Sequence, residues 1–299
     1  MYVLGSINLD IVLSVETLPA PGETVSASGM DRFSGGKGAN QAIAAARADA
    51  KVSLFGAVGE DEAGATLVAY LEDTGINTEG VVRLADTPTG QAYIGVSAKG
   101  ENAIIVVPGA NHAFDKKPGA FELHTVFLSQ LEMPVAAIKA LFEAAAGRGL
   151  RVLNAAPAID EGRDLFALTD VLIVNETELA HYANAAEVSA RDGDGLVAQA
   201  RALMVRDDQT VVITLGAEGV LAVTADDAIR VEGRKADVVD TTGAGDCFCG
   251  TLCTALEEGQ TLKDAIRFAN AAAAIAVTRR GAGPSMPARA EIEALLAKG

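Results

Sequence analysis

Short β-branched runs alternate along the chain with alanine-rich segments whose apolar residues recur at helical spacing. This is the alternation of βαβ units around a parallel sheet. The pattern predicts strands at Val3 to Ile7, Val52 to Phe55, Val126 to Leu128, Val152 to Asn154, Val171 to Val174, Val211 to Thr214 and Val220 to Val223. It predicts helices over Ala39 to Ala48, Glu62 to Asp73, Pro134 to Gly147, Gly193 to Val205, Ala244 to Glu257, Leu262 to Arg279 and Ala288 to Leu296. Two segments break the alternation and read as non-helical: Ile11 to Asp31, and Thr89 to Val107 with its apolar runs Tyr93 to Val96 and Ile104 to Val107. At 299 residues the chain can form one sizeable α/β domain or two small ones, and no repeat, linker or low-complexity tract marks a boundary.

Charge narrows the partners. With 24 Lys and Arg against 40 Asp and Glu, the net charge is -16, which disfavours nucleic acid and anionic membranes, both of which select basic patches. A small ligand is expected. The start Met1-Tyr2-Val3-Leu4-Gly5 lacks a basic leader, and no apolar run reaches membrane-spanning length, so a cytoplasmic protein is expected. Cys247, Cys249 and Cys253 at helical spacing read as small core residues and not as disulfides, and His112, His124 and His181 are too scattered for a zinc site.

The chemistry concentrates in two glycine-rich loops that open helices. In Asp240-Thr241-Thr242-Gly243-Ala244-Gly245-Asp246, followed by an apolar helix, the unpaired N–H groups and positive dipole end suit a phosphate. The same dipole favours an ionised Asp246, able to accept a hydroxyl proton. A plain Asp-containing helix cap has the same appearance. Ser34-Gly35-Gly36-Lys37-Gly38-Ala39-Asn40-Gln41 likewise precedes a helix. It is no P-loop, because Gly38 follows Lys37, and neither loop carries the dinucleotide pattern G-x-G-x-x-G. Asn8 and Asp10, two apart on or just after the first strand, share a face and can hold adjacent hydroxyls, or lie at a solvated strand end. Glu132 follows a buried apolar run, near the carboxyl end of a strand where open α/β sheets place ligands. Asn175 and Glu178 share one helical face, a spacing that also makes a capping box.

Together and in this order, the two loops resemble the signatures of the ribokinase (PfkB) family of sugar kinases. The resemblance extends over the whole chain through Gly5-Ser6-Ile7-Asn8-Leu9-Asp10, Pro21-Gly22-Glu23-Thr24, Gln130-Leu131-Glu132, Asn154-Ala155-Ala156-Pro157-Ala158, Asn175-Glu176-Thr177-Glu178, Arg267-Phe268-Ala269-Asn270 and Arg280-Gly281-Ala282-Gly283-Pro284-Ser285. It implies a ribokinase-like α/β fold over residues 1–299, a central mostly parallel sheet flanked by helices, with the two non-helical segments forming a small β-sheet lid. It also implies transfer of the ATP γ-phosphoryl group to O5 of D-ribose. Other family substrates are 2-deoxyribose, a nucleoside, fructose or a ketodeoxy sugar acid.

By the resemblance Asp246 is the general base and Gly243, Ala244 and Gly245 form the anion hole. Asn8, Asp10, Gly36, Lys37, Asn40 and Glu132 contact the sugar, although Lys37 also reads as a solvated lysine. Asn175, Thr214, Gly216, Gly219, Gly245 and Asn270 face the nucleotide, and a plain turn with two glycines would look like the loop from Thr214 to Gly219. Glu178 serves Mg²⁺ through water. Asp240, Thr242, Ala276, Arg279, Gly281 and Ser285 surround a monovalent cation, K⁺, mostly through backbone carbonyls. A homodimer formed through the lid strands completes what the resemblance implies.

Overall fold

The computed structural model describes residues 1–116, 121–123, 125–185 and 193–298, so His124 lies outside the described residues. The strands are β1 (Tyr2–Leu4), β2 (Asn8–Val15), β3 (Ala27–Gly35), β4 (Ser53–Gly59), β5 (Asn77–Leu84), β6 (Gly90–Ser97), β7 (Asn102–Val107), β8 (Thr125–Gln130), β9 (Gly149–Asn154), β10 (Val171–Asn175), β11 (Thr210–Thr214), β12 (Val220–Val223) and β13 (Ala228–Val231). The helices are α1 (Lys37–Arg47), α2 (Glu62–Asp73), α3 (Val135–Ala144), α4 (Glu176–Ala183), α5 (Gly193–Leu203), α6 (Ala244–Glu257), α7 (Leu262–Ala276) and α8 (Arg289–Leu296).

Among the described residues the main sheet runs β13-β12-β11-β10-β9-β8-β1-β4-β5. Its strands are parallel from β5 through β11, and β12 and β13 turn antiparallel at one edge. Its central strands are buried on both faces, as the apolar runs Val126 to Leu128 in β8 and Val171 to Val174 in β10 require. One face packs against α1, α2, α6, α7 and α8 through residues such as Ile43, Leu67, Phe248, Ile266 and Ile292. The other packs against α3, α4 and α5 through Phe142, Leu179 and Leu196. Among the described residues no helix is long and apolar enough to cross a membrane.

The two non-helical segments supply most of a second, four-stranded sheet ordered β3-β2-β6-β7. Here the expectation needs one correction. The first strand ends at Leu4, not Ile7, and Asn8 and Asp10 open a strand of the smaller sheet. Gly5 to Ile7 therefore carries the chain from one sheet to the other. The edge strand β7 leaves Ile104, Ile105, Val106 and Val107 exposed. Sequence periodicity also missed β5, β13 and α4, which are short or sit on an edge where alternation is weak.

The placement of α1 against α6 positions the site. A Cβ on Gly250 of α6 would lie 2.3 Å from the Gln41 carbonyl oxygen and 2.9 Å from the Ala44 Cβ. Only glycine admits this approach. Gly250→Ala gains up to about 1 kcal/mol of helix propensity, but overpacking here costs about 1–3 kcal/mol or more. The net expectation is lower stability in a urea titration with unchanged m-value; a raised midpoint would contradict the close crossing.

Candidate active site

Both site helices are entered through a glycine at positive φ, Gly36 at 87° before α1 and Gly243 at 75° before α6. A residue with a side chain rarely adopts this conformation, which explains why the loops are glycine-rich at these points. The Ala244 N–H is committed to the Thr241 carbonyl at 3.2 Å. The N–H groups of Gly245 and Asp246 find no backbone acceptor among the described residues, which leaves them open to an anion.

Asp246 sits in the first turn of α6 and is only 8% exposed. Two successive residues of α1 grip it: Asn40 Nδ2 donates to Oδ2 at 3.1 Å and Gln41 Nε2 donates to Oδ1 at 2.9 Å. Burial pushes the Asp246 carboxyl upward, and Lys37 with the Gln41 and Asn40 amides pulls the other way. The expectation that the helix end keeps it ionised meets a net upward push from burial, which a lysine and two amides offset only in part.

Four carboxylates face this region. Burial, then Glu132 and Asp246, raises Asp10 to about 7, with Lys37 opposing. Burial also raises Glu178, countered by the Asn175 N–H and Lys37. Desolvation would lower Lys37, but Asp246, Glu132 and Glu178 outweigh it and raise its pKa. Lys37 is half-buried at the centre of these acids, which sets aside the reading of a solvated lysine.

On the smaller-sheet side, Asn8 is buried and its Oδ1 accepts from Asn111 Nδ2 at 2.7 Å. Asn111 is itself fixed by the Ile7 N–H, which donates to its Oδ1 at 2.9 Å. Glu132 Oε2 accepts from the Ser6 hydroxyl and from the Lys37 N–H. Asn40 Oδ1 is buried with no partner among the described residues. A polar atom in that state is an acceptor waiting for a donor.

On the other side, a cavity of about 130 Å³ is lined by Lys37, Asn154, Asn175, Glu178, Gly243 and Asp246 among others, and it meets a larger cleft of about 890 Å³ at Thr214 and Gly245. The larger cleft includes Gly216, Gly219, Phe248 and Asn270 in its walls. Asn175 and Glu178 do form the capping box of α4: the Glu178 N–H donates to Asn175 Oδ1 and the Asn175 N–H to Glu178 Oε2. The box also fixes Glu178 beside the cavity, so the structural and the ligand-facing readings hold together. Asn270 lines the cleft while giving its Nδ2 to the Glu232 carbonyl at 2.7 Å.

Of the residues expected around a cation, Asp240, Thr242 and Gly281 are linked directly. Asp240 accepts the Thr242 N–H on Oδ1 and the Gly281 N–H on Oδ2, each at 2.9 Å, tying the loop before α6 to the turn after α7. Burial alone would raise Asp240, but those bonds from Thr242 and Gly281 dominate and hold it low. The Ser285 hydroxyl donates to the Ala282 carbonyl, and the Arg279 guanidinium turns outward to Glu291.

Sequence reasoning missed Ser6, Gln41, Asn111, Gln130 and Asn154 as individual contributors. Four of them stand inside quoted motifs, where a buried polar side chain at helical or strand spacing was the available signal. Asn111 lies in a 3₁₀ turn with no pattern of its own.

The chain as a whole has counterparts among known proteins. A family model described as pfkB family carbohydrate kinase matches residues 1–289. The ribokinase of Haemophilus influenzae is 38% identical over 297 residues, covering 97% of this chain and 96% of that protein. The deoxyribokinase of Salmonella typhi is 32% identical over 292 residues, covering 95% of this chain and 94% of that protein. The structure of Arabidopsis thaliana ribokinase complexed with ribose and ATP superposes with a TM-score of 0.88 at 32% identity, covering 99% of this chain and 97% of that one. The fold is ribokinase-like, and the chain belongs to the pfkB family of carbohydrate kinases.

Proposed function

We propose that the protein transfers the γ-phosphoryl group of ATP to O5 of D-ribose, with Asp246 accepting the hydroxyl proton. The observation that carries this is the position of Asp246. Its carboxylate borders the small cavity that opens into the large cleft, and it is held from behind by the amides of α1. ATP occupies the large cleft, with its base toward Asn270 and its phosphates toward Thr214 and Gly245. The sugar lies against Asn8, Asp10, Gly36, Asn40 and Glu132, where the unpartnered Asn40 Oδ1 supports a hydroxyl contact. The N–H groups of Gly245 and Asp246 and the Lys37 ammonium offset charge on the transferring group.

Two ions belong to this reading. Glu178 carries acceptor capacity beyond its cap bonds and borders the cavity, which suits a water-mediated Mg²⁺ site built from carboxylate, water and phosphate oxygens. When bound, the ion supplies charge neutralisation on the phosphates. The low-lying Asp240 carboxylate, with the carbonyls of Thr242, Ala276, Arg279 and Gly281 and the Ser285 region, offers the all-oxygen donor set that K⁺ prefers. It would order the loop before α6 without touching sugar or nucleotide.

The smaller sheet acts as a lid that excludes water from the closed site, within one ribokinase-like unit over residues 1–299. Its exposed Ile104 to Val107 strand supports pairing with a second copy of the chain. A cytoplasmic location fits such a substrate pair. The similarity to a deoxyribokinase favours a second reading, 2-deoxyribose as the acceptor.

The test is a coupled assay of ADP release across ribose, 2-deoxyribose, fructose, nucleosides and ketodeoxy sugar acids. Ribose should give the highest kcat/KM, and equal or better turnover of another sugar would reassign the substrate. Asp246→Asn should lower kcat by roughly 10² to 10⁴ while the fold survives, as for a positioned base. Turnover within about threefold of the parent would remove that role.

Asp10 generates a pH prediction. Sugar hydroxyls donate to the ionised carboxylate, and a carboxyl raised to about 7 loses that form as pH falls through neutrality. The KM for sugar should therefore rise as pH drops from about 8 to about 6, and sugar binding near neutrality should release a proton. Asp10→Asn should flatten the profile. A parent KM for sugar that stays level across this range would show that Asp10 does not meet the sugar as a carboxylate.

A further inference from the structure

Gln41 lies on α1 one residue beyond Asn40 and is fully buried. A glutamine there is stable only if its amide atoms are paired. Its Nε2 donates to Asp246 Oδ1 at 2.9 Å and to Asn154 Oδ1 at 3.0 Å, and its Oε1 accepts from Gln130 Nε2 at 2.6 Å. The network forces this orientation. Turned over, the oxygen would face two acceptors and the nitrogen would face a donor. Gln130 lies close against Gly5, where a Cβ would come within 2.3 Å of its Oε1, and that oxygen is buried with no partner among the described residues. The chain of contacts therefore runs from Gln130 Nε2 to Gln41 and from Gln41 to the carboxylate.

We infer that Gln41, backed by Gln130, is a positioning residue that fixes the plane of the Asp246 carboxylate for proton acceptance. The inference rests on the reading of Asp246 as the base. With Asn40 on Oδ2 and Gln41 on Oδ1, each oxygen has one fixed donor, and the lone pairs left for a hydroxyl keep one direction. The neighbouring charges do not duplicate the effect. Lys37 of α1 opposes burial, while Asp10 of β2, Glu132 after β8 and Glu178 of α4 are acids that the Asp246 carboxylate repels. Asn154 of β9 is neutral, and Cys247 and Cys249 on α6 are thiols that burial pushes up and keeps protonated. Gln41 is therefore, with Asn40, one of two neutral donors that orient the carboxylate and favour its charged form, and the one tied into the core through Gln130 and Asn154.

The experiment is the pH dependence of kcat and kcat/KM for Gln41→Met, which keeps side-chain length and removes the donor and the acceptor. The expected result is a kcat about 10- to 100-fold lower, the scale of a misaligned reacting group. Both KM values should stay within about threefold, and the acid limb of kcat/KM should move up by about one pH unit. Gln130→Met, which removes only the brace, should move the same limb in the same direction by less. In an Asp246→Asn background, Gln41→Met should cost no more than about a further twofold, because there is no carboxylate to orient. A parent-like acid limb in Gln41→Met, or a loss confined to stability and KM, would overturn the inference. If Gln41→Met does not fold, an unchanged limb in Gln130→Met overturns it instead. Full turnover by Asp246→Asn would overturn the base assignment itself, and that result does not depend on either glutamine.

Discussion

The close crossing of α1 and α6 is the constraint on which the site depends. Gly250 lets the two helices touch backbone to backbone, and across that crossing the Asn40 and Gln41 amides lie within hydrogen-bond distance of Asp246. Each helix opens from a glycine-rich loop at the carboxyl side of the sheet, where α/β folds leave a crevice. In the proposed function α1 carries the sugar-side residues and α6 the phosphate-side turn. The Asp246 carboxylate of α6 is held by two amides of α1, so its placement depends on both helices.

Electrostatics makes that placement usable. Four carboxylates gather around partly buried space, and burial first, then repulsion from Glu132 and Asp246, raises Asp10 to about 7. A single lysine at their centre and a set of neutral amides offset the repulsion without bringing in a second cation. Such a cluster costs stability and is retained where a ligand rich in hydroxyl donors and a strongly anionic one are to be bound side by side. The overall charge of -16 does not conflict with an anionic nucleotide, because net charge counts Lys37 but not backbone N–H groups, and records nothing of where either lies.

Much of this was legible in the sequence. The helices Glu62–Asp73 and Ala244–Glu257 and the strand Val220–Val223 fall where periodicity put them, because their apolar spacing and flanking caps agree. The two glycine-rich loops pointed to the site because positive-φ turns before helices need glycine. Less legible were features that depend on partners distant in sequence. Asn8 and Asp10 read as lying on or just after the first strand, but the chain changes sheets at Gly5 to Ile7, and local pattern does not record a change of partner. Gln41 stood beside Asn40 in plain view. Its importance follows from Gln130 and Asn154, about 90 and 113 positions away, meeting it in the core. The cation-site carbonyls have no side-chain signal, and only Asp240 and Ser285 marked that region.

The most direct test of the central claim is a crystal structure with ribose and a non-hydrolysable ATP analogue bound together. The account predicts the sugar O5 within about 3 Å of an Asp246 carboxylate oxygen, between that group and the γ-phosphate analogue, with the Asn40 and Gln41 donors still on the carboxylate. A sugar hydroxyl directed to the phosphate from a position out of reach of Asp246, or one closer to another acid, would contradict it.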